Sequence, residues 1–245
     1  MAGGLNNYWF FIMSNLSQLK SKLKKLADSK RAEVLRWFFK TGKGEYGAGD
    51  IFLGIKVPAQ RKVARENENL SLVALQKLLN SKIHEYRLIA LLILISQYKK
   101  ADSQSKKKIV EFYLKNTENI NNWDLVDLSC PNILGDYLLN KSRKILYKLA
   151  KSKNLWEKRI SIISTFAFIR NKEFADTLQI AGILLYDKHD LIHKAVGWML
   201  RETGKRDREI LENFLRKNYK IMPRTMLRYA IEKLNADKKK YYLGK

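Results

Sequence analysis

Trp123 and Asp127 stand four residues apart in the run Asn122-Trp123-Asp124-Leu125-Val126-Asp127. On a helix, that spacing projects an aromatic ring and a carboxylate from one face. Both groups favour positive charge, the ring through its π face and the carboxylate by direct attraction. Asp124 is adjacent to Trp123 and points elsewhere. In a strongly basic chain, such a carboxylate is either paired with an arginine for structure or kept for chemistry, and spacing leaves both open. Trp198, followed by Arg201 and Glu202, reads first as core when taken alone, and Trp37, Phe38 and Phe39 pose the same choice. His189 and His193 have a spacing that can hold a metal, but no third ligand accompanies them. We therefore expect no metal and no cofactor. Cys130, between Ser129 and Pro131, has no matched histidine and reads as a buried thiol. The sequence contains no Ser-His-Asp order and no nucleotide-phosphate loop.

The chain has 245 residues, 46% of them apolar, with 3 prolines, so it can bury a core in one or two domains. A single cysteine excludes a disulfide scaffold and a Cys-rich zinc module. Charge dominates: 48 Lys and Arg against 24 Asp and Glu give a net +24. That excess points to a polyanionic partner, nucleic acid before anionic membrane. The apolar run Tyr8 to Met13 is far shorter than the ~20 residues that cross a bilayer, and no basic residue precedes it. Residues 1–13 are expected to be a dispensable extension. A helix through Leu16, Leu19, Leu23 and Leu26 follows, capped by Ser14 or Ser17. Residues 14–236 form the folded domain, and 237–245 read as a solvated basic tail. With no targeting segment and no disulfide-forming cysteines, a monomer in the cytoplasm is expected, with no membrane and no obligate protein partner.

Nearly every segment after Leu16 has helical spacing, as in Leu72-Leu75-Leu78-Leu79 and Ile83-Tyr86-Ile89-Ala90-Ile93. The fold expected is all-α. Pro58 suits the first turn of a helix, Pro131 marks a break and Pro223 a start. A register recurs from Arg87 to Trp123, Arg159 and Ala195, each near the start of a helix that opens a two-helix unit. That period predicts an α-solenoid of HEAT-like antiparallel helix pairs, a curved single domain with a basic concave groove. Arg87, Arg159 and Lys194 would line the face that also carries Trp123 and Asp127. The stretch Thr41 to Asp50 holds four of the twelve glycines. It is either a flexible surface loop or a place where backbone comes close to a phosphate.

At these residues the sequence resembles a known family. Lys40-Thr41-Gly42-Lys43-Gly44-Glu45-Tyr46-Gly47, leading into Phe52-Leu53-Gly54-Ile55-Lys56-Val57-Pro58, is similar to the N-terminal signature of the DNA alkylation repair family. Its members include the AlkD-type alkylpurine DNA glycosylases, built from HEAT-like repeats. Asn122 to Asp127 with Leu134-Gly135-Asp136 resembles the central motif, and Trp156 to Ile160 and Lys194 to Glu202 match two further blocks in order. The resemblance covers about residues 28 to 235. It implies that Asp127 is the catalytic carboxylate, with Trp123 and Trp198 as aromatic walls beside the damaged nucleotide. Arg159 and Arg201 would be cations holding the DNA backbone, and the repeat register adds Lys194 and Arg87 to them. Phe38 aligns roughly where some members carry a tyrosine, so that hydroxyl is absent here.

Alkylation at N3 or N7 makes a purine cationic and weakens its glycosidic bond, so the base departs neutral with little acid help. What remains is to stabilise an oxocarbenium sugar and position a water, which a carboxylate can do. No lysine in the matched motifs offers a Schiff base, so excision without strand cleavage is expected, on double-stranded DNA containing alkylated bases. The alternatives are a non-catalytic HEAT-repeat DNA-binding protein of the same family, and a protein scaffold, which would leave the charge unexplained.

Overall fold

The structure, a computed structural model, describes residues 16–244. The expected extension at 1–13 and the Ser14 cap lie outside the described residues. Among the described residues the regular structure is helical, and one isolated parallel bridge joins Ile51 to Ile83. No described helix is long and apolar enough to cross a membrane. This is the all-α, helical-repeat architecture that the periodicity predicts. The chain divides after Leu125 into two compact units.

The first unit contains helical residues 16–25 (α1), α2 (Ser29–Phe38), α3 (Val57–Glu66), α4 (Leu72–Leu79), α5 (His84–Lys100) and α6 (Ser103–Lys115). Short polar side chains start several of them: Asp28, Ser71 and Asp102 each accept a first-turn backbone N–H. Pro58 sits in the first turn of α3, where its missing N–H costs nothing. α5 is buried on nearly all sides and packs against α3, α4 and α6, so it forms the centre of this unit.

The glycine-rich stretch between α2 and α3 is tied down rather than loose. Gly47 N–H donates to the Lys40 carbonyl at 3.1 Å, and His84 N–H to the Ile51 carbonyl at 2.8 Å. The buried Glu85 carboxylate accepts backbone N–H groups from Leu53 (2.9 Å), Gly54 (2.8 Å) and Ile55 (3.3 Å). Gly54 has φ +81°, and a Cβ there would lie 2.1 Å from the Asp28 carbonyl oxygen, so no other residue fits without movement.

A further helix, α7 (Trp123–Ser129), begins in the first unit and ends in the second. Pro131 then opens a wide turn, Pro131–Gly135, in which Gly135 N–H reaches the Cys130 carbonyl at 2.8 Å. Cys130 is the buried thiol expected, and burial pushes its pKa well above the usual value. There follow α8 (Lys144–Ala150), α9 (Leu155–Ser164), α10 (Phe166–Arg170), α11 (Ala175–Ile183), α12 (Asp190–Arg206), α13 (Arg208–Asn218), α14 (Arg224–Ala230) and α15 (Ala236–Leu243). α12 is the central helix here, packed against α9 to α11, α13 and α14. Gly197 permits the α12–α14 approach, since a Cβ would lie 2.5 Å from the Met226 carbonyl oxygen.

Two expectations need correction. The residues read as a solvated tail form α15, with Asn235 capping Lys238 N–H at 3.0 Å. Tyr242 is buried in ring contact with Tyr219, and Lys238 pairs with Glu212. A charge run conceals an amphipathic turn when one aromatic carries the docking. The register residues Arg87, Trp123, Arg159 and Ala195 do fall near the starts of α5, α7, α9 and α12. Yet α5 packs more on α3 and α4, and α9 more on α8, than on the helices that follow. In those two cases the register helix closes a pair instead of opening it.

Candidate functional site

Trp123 is the first residue of α7, its N–H held by the Asn122 side chain at 2.8 Å. Its indole caps a column of rings within the first unit. Trp123 stacks on Phe39 (centroids 5.2 Å, 26°), Phe39 on Phe52 (5.1 Å, 11°) and Phe52 on His84 (4.6 Å, 24°). Phe38 meets Trp123 edge-on at 5.9 Å. The indole N–H donates to the Tyr46 hydroxyl at 3.3 Å. The glycine-rich stretch therefore delivers a tyrosine to Trp123, although Phe38 supplies no hydroxyl.

At the foot of the column, His84 lies between two carboxylates. Its Nε2 is 2.8 Å from Asp124 and its Nδ1 is 3.4 Å from Asp50, which also accepts from Arg87 at 2.7 Å. Burial alone would lower the His84 pKa, but Asp124 and Asp50 outweigh it and raise the value to about 9. The imidazole is thus a buried cation that donates from both nitrogens. Asp50 shows the converse: burial would raise it, and His84 with Arg87 hold it below the usual carboxylate value. Asp124 does point away to a partner of its own, as its spacing implies.

Arg87, expected among the groove cations, is only 3% exposed. Its Nη1 donates to the Ser81 carbonyl at 2.9 Å and its Nη2 to Asp50, so it holds the loop rather than presenting charge to solvent. The sequence alone assigns no role to His84 or Asp50. The available signal was a histidine at the head of a helix whose middle, Leu88 to Ile95, is entirely apolar, since a buried histidine demands partners.

In the second unit, Asp127 is gripped by Arg159. The guanidinium donates from Nε to one carboxylate oxygen at 2.8 Å and from Nη2 to the other at 2.7 Å. Its Nη1 donates to the Leu191 carbonyl at 2.5 Å. Arg159 is 5% exposed, so it too differs from the expected backbone-holding cation. The Asp127 side chain keeps 18% of its surface exposed. A fork-to-fork pair fixes the carboxylate plane of this partly exposed group. α9 places Arg159 through its Asn154 cap, which accepts Trp156 N–H at 2.8 Å.

The remaining residues on α12 make local contacts. Trp198 is half-buried, its ring 5.8 Å from that of Phe166. Arg201 pairs with Glu232 and its Nε is buried without a hydrogen-bond partner among the described residues. Lys194 pairs with Asp190 at 2.7 Å. His189 caps the helix by accepting Leu191 N–H at 3.1 Å, and His193 Nε2 lies 2.5 Å from the Asp187 carbonyl. Both rings serve backbone groups.

No curated protein matches the chain. A structure described as a predicted DNA alkylation repair enzyme from Enterococcus faecalis superposes with a TM-score of 0.66. It is 14% identical, over 86% of this chain and 97% of that one. AlkD2 from Streptococcus mutans superposes with a TM-score of 0.54 at 16% identity, over 92% of this chain and 100% of that one. At such identities the likeness shows fold alone. The model of the DNA alkylation repair enzyme family matches residues 19–234, nearly the whole sequence, and the chain belongs to that family.

Proposed function

We propose that this protein is a DNA glycosylase that excises positively charged N3- or N7-alkylated purines, without strand cleavage. The observation that carries the reading is Asp127, oriented by a bidentate arginine and still partly exposed. As the glycosidic C–N bond breaks, its electron pair leaves with the base, which departs neutral. Positive charge moves to the sugar, where a fixed carboxylate stabilises it and accepts a proton from the attacking water. Trp123 in the first unit and Trp198 in the second each offer a ring face to a cation, worth ~0.5–2 kcal/mol. Arg159 is a positioning residue, and Arg87 does the same work for the glycine-rich stretch. Lys194 and Arg201 hold the DNA backbone by exchanging their carboxylate partners for phosphates, a surface event with steep salt dependence. The net +24 supplies sequence-independent affinity. In this reading the protein acts as a cytoplasmic monomer.

A second reading has specific support. A carboxylate paired with a buried arginine is also how a purely structural aspartate looks, which fits a non-catalytic DNA-binding protein. The deciding experiment is release of free base from a duplex carrying N7-methylguanine, wild type beside Asp127→Asn. Release by wild type alone, with DNA binding retained in both, supports the glycosylase. Tight salt-sensitive binding without release by either moves the conclusion to the binder.

A further inference from the structure

We infer that the exposed face of α2 is a stacking platform for an unpaired base in DNA, with Trp37 at its centre; the inference rests on the DNA-repair reading above. Lys30, Val34, Trp37 and Phe38 fall at i, i+4, i+7 and i+8 and so share one face of α2. Ala32 and Leu35, on the other side, face the ring cluster with Phe39. Trp37 is 83% exposed and Phe38 53%. An indole left that open is rare, because it forfeits most of the apolar burial a tryptophan can gain.

Charge selects the occupant. Lys30, Arg31, Arg36, Lys40 and Lys43 are exposed on or just after α2, against the exposed carboxylates of Asp28 at its cap, Glu33 on the helix and Glu45 beyond it. No ion pair to any of those five cations occurs among the described residues. Flat rings among cations are the arrangement that holds nucleic acid strands, phosphates on the cations and bases on the rings. Within a paired duplex both faces of each base are covered by neighbours, so only an unstacked base can lie on Trp37. The platform also runs into the column of rings described above, since Phe38 touches both Phe39 at 5.1 Å and Trp123 at 5.9 Å. A base displaced from the helix would thus be held beside Trp123 without needing a deep pocket.

The test uses the full chain and two duplexes, one with a single unpaired 2-aminopurine and one fully paired. Wild type should bind the first more tightly and quench its fluorescence on binding. Trp37→Ala should lose that preference, roughly 5- to 100-fold in affinity for the unpaired duplex, and the quenching with it. Affinity for the paired duplex, its salt dependence and the thermal unfolding midpoint should stay the same, because the side chain is exposed. A variant that keeps the preference, or a wild type that binds both duplexes equally, overturns the platform. If N7-methylguanine release persists in that case, the proposed function stands without it. Absence of binding to either duplex at low salt overturns both.

Discussion

Replacing His84 with glutamine removes a buried cation while leaving Asp50, Arg87 and Asp124 in place. His84 titrates at about 9 in the folded chain against 6.5 for an ordinary histidine. At ~1.4 kcal/mol per pKa unit, holding the proton contributes about 3 kcal/mol to folding. The folded value is raised, so this contribution is fully present below pH 6.5 and is lost as pH rises through about 9. Asp50 works at the other end: its folded value is lowered, so its share is present above 3.8 and lost as pH falls below that. Urea unfolding at fixed ionic strength, followed by tryptophan fluorescence, measures the gap between wild type and His84→Gln. Urea is preferable to guanidinium because salt would screen the interaction in question. The gap should shrink by about 3 kcal/mol between pH 6.5 and pH 9 and above. A gap that is constant across that window would show that His84 is neutral when folded, and the clamp of two carboxylates would have no electrostatic role.

Other consequences can be measured directly. Arg159→Lys cannot make the two-point grip on Asp127, so kcat for base release should fall with DNA affinity and its salt slope unchanged. Arg159→Ala removes the charge as well, and a salt slope lower by about one unit in that variant would put Arg159 on a phosphate after all. Gly44 and Gly54 share φ +81°, but only Gly54 has backbone within reach of an added Cβ. Gly44→Ala should therefore cost ~1–2 kcal/mol of stability and Gly54→Ala clearly more, read by thermal unfolding. Equal costs would mean the Asp28 carbonyl yields freely. Tyr242→Ala should free α15 and destabilise the second unit by about 3 kcal/mol, with faster proteolysis after Asn235. An unchanged cleavage pattern would restore the view of that segment as a solvated end.

Helices, their approximate ends and the family were legible in the sequence because each rests on local chemistry. Apolar residues at three and four, Asp28 or Ser71 as a cap and Pro58 in a first turn act within a few residues. The Trp123–Asp127 spacing likewise follows from one helix and nothing else. Partner choice did not follow. Asp50 with Arg87, His84 with Asp124 and Asp127 with Arg159 join residues 32 to 40 positions apart. Whether an arginine faces solvent or a neighbouring helix depends on packing that leaves identical sequence patterns in both cases. So Arg87 and Arg159, read as surface cations, became buried anchors. α15 went the other way, from solvated tail to docked helix, because the contact of Tyr242 with Tyr219 exists only once α13 and its neighbours are assembled. The sequence determined which segments coil and which residue types are available for chemistry. Tertiary structure decided which charges are held inside and which remain for a ligand, since burial and pairing are set by neighbours distant in the chain.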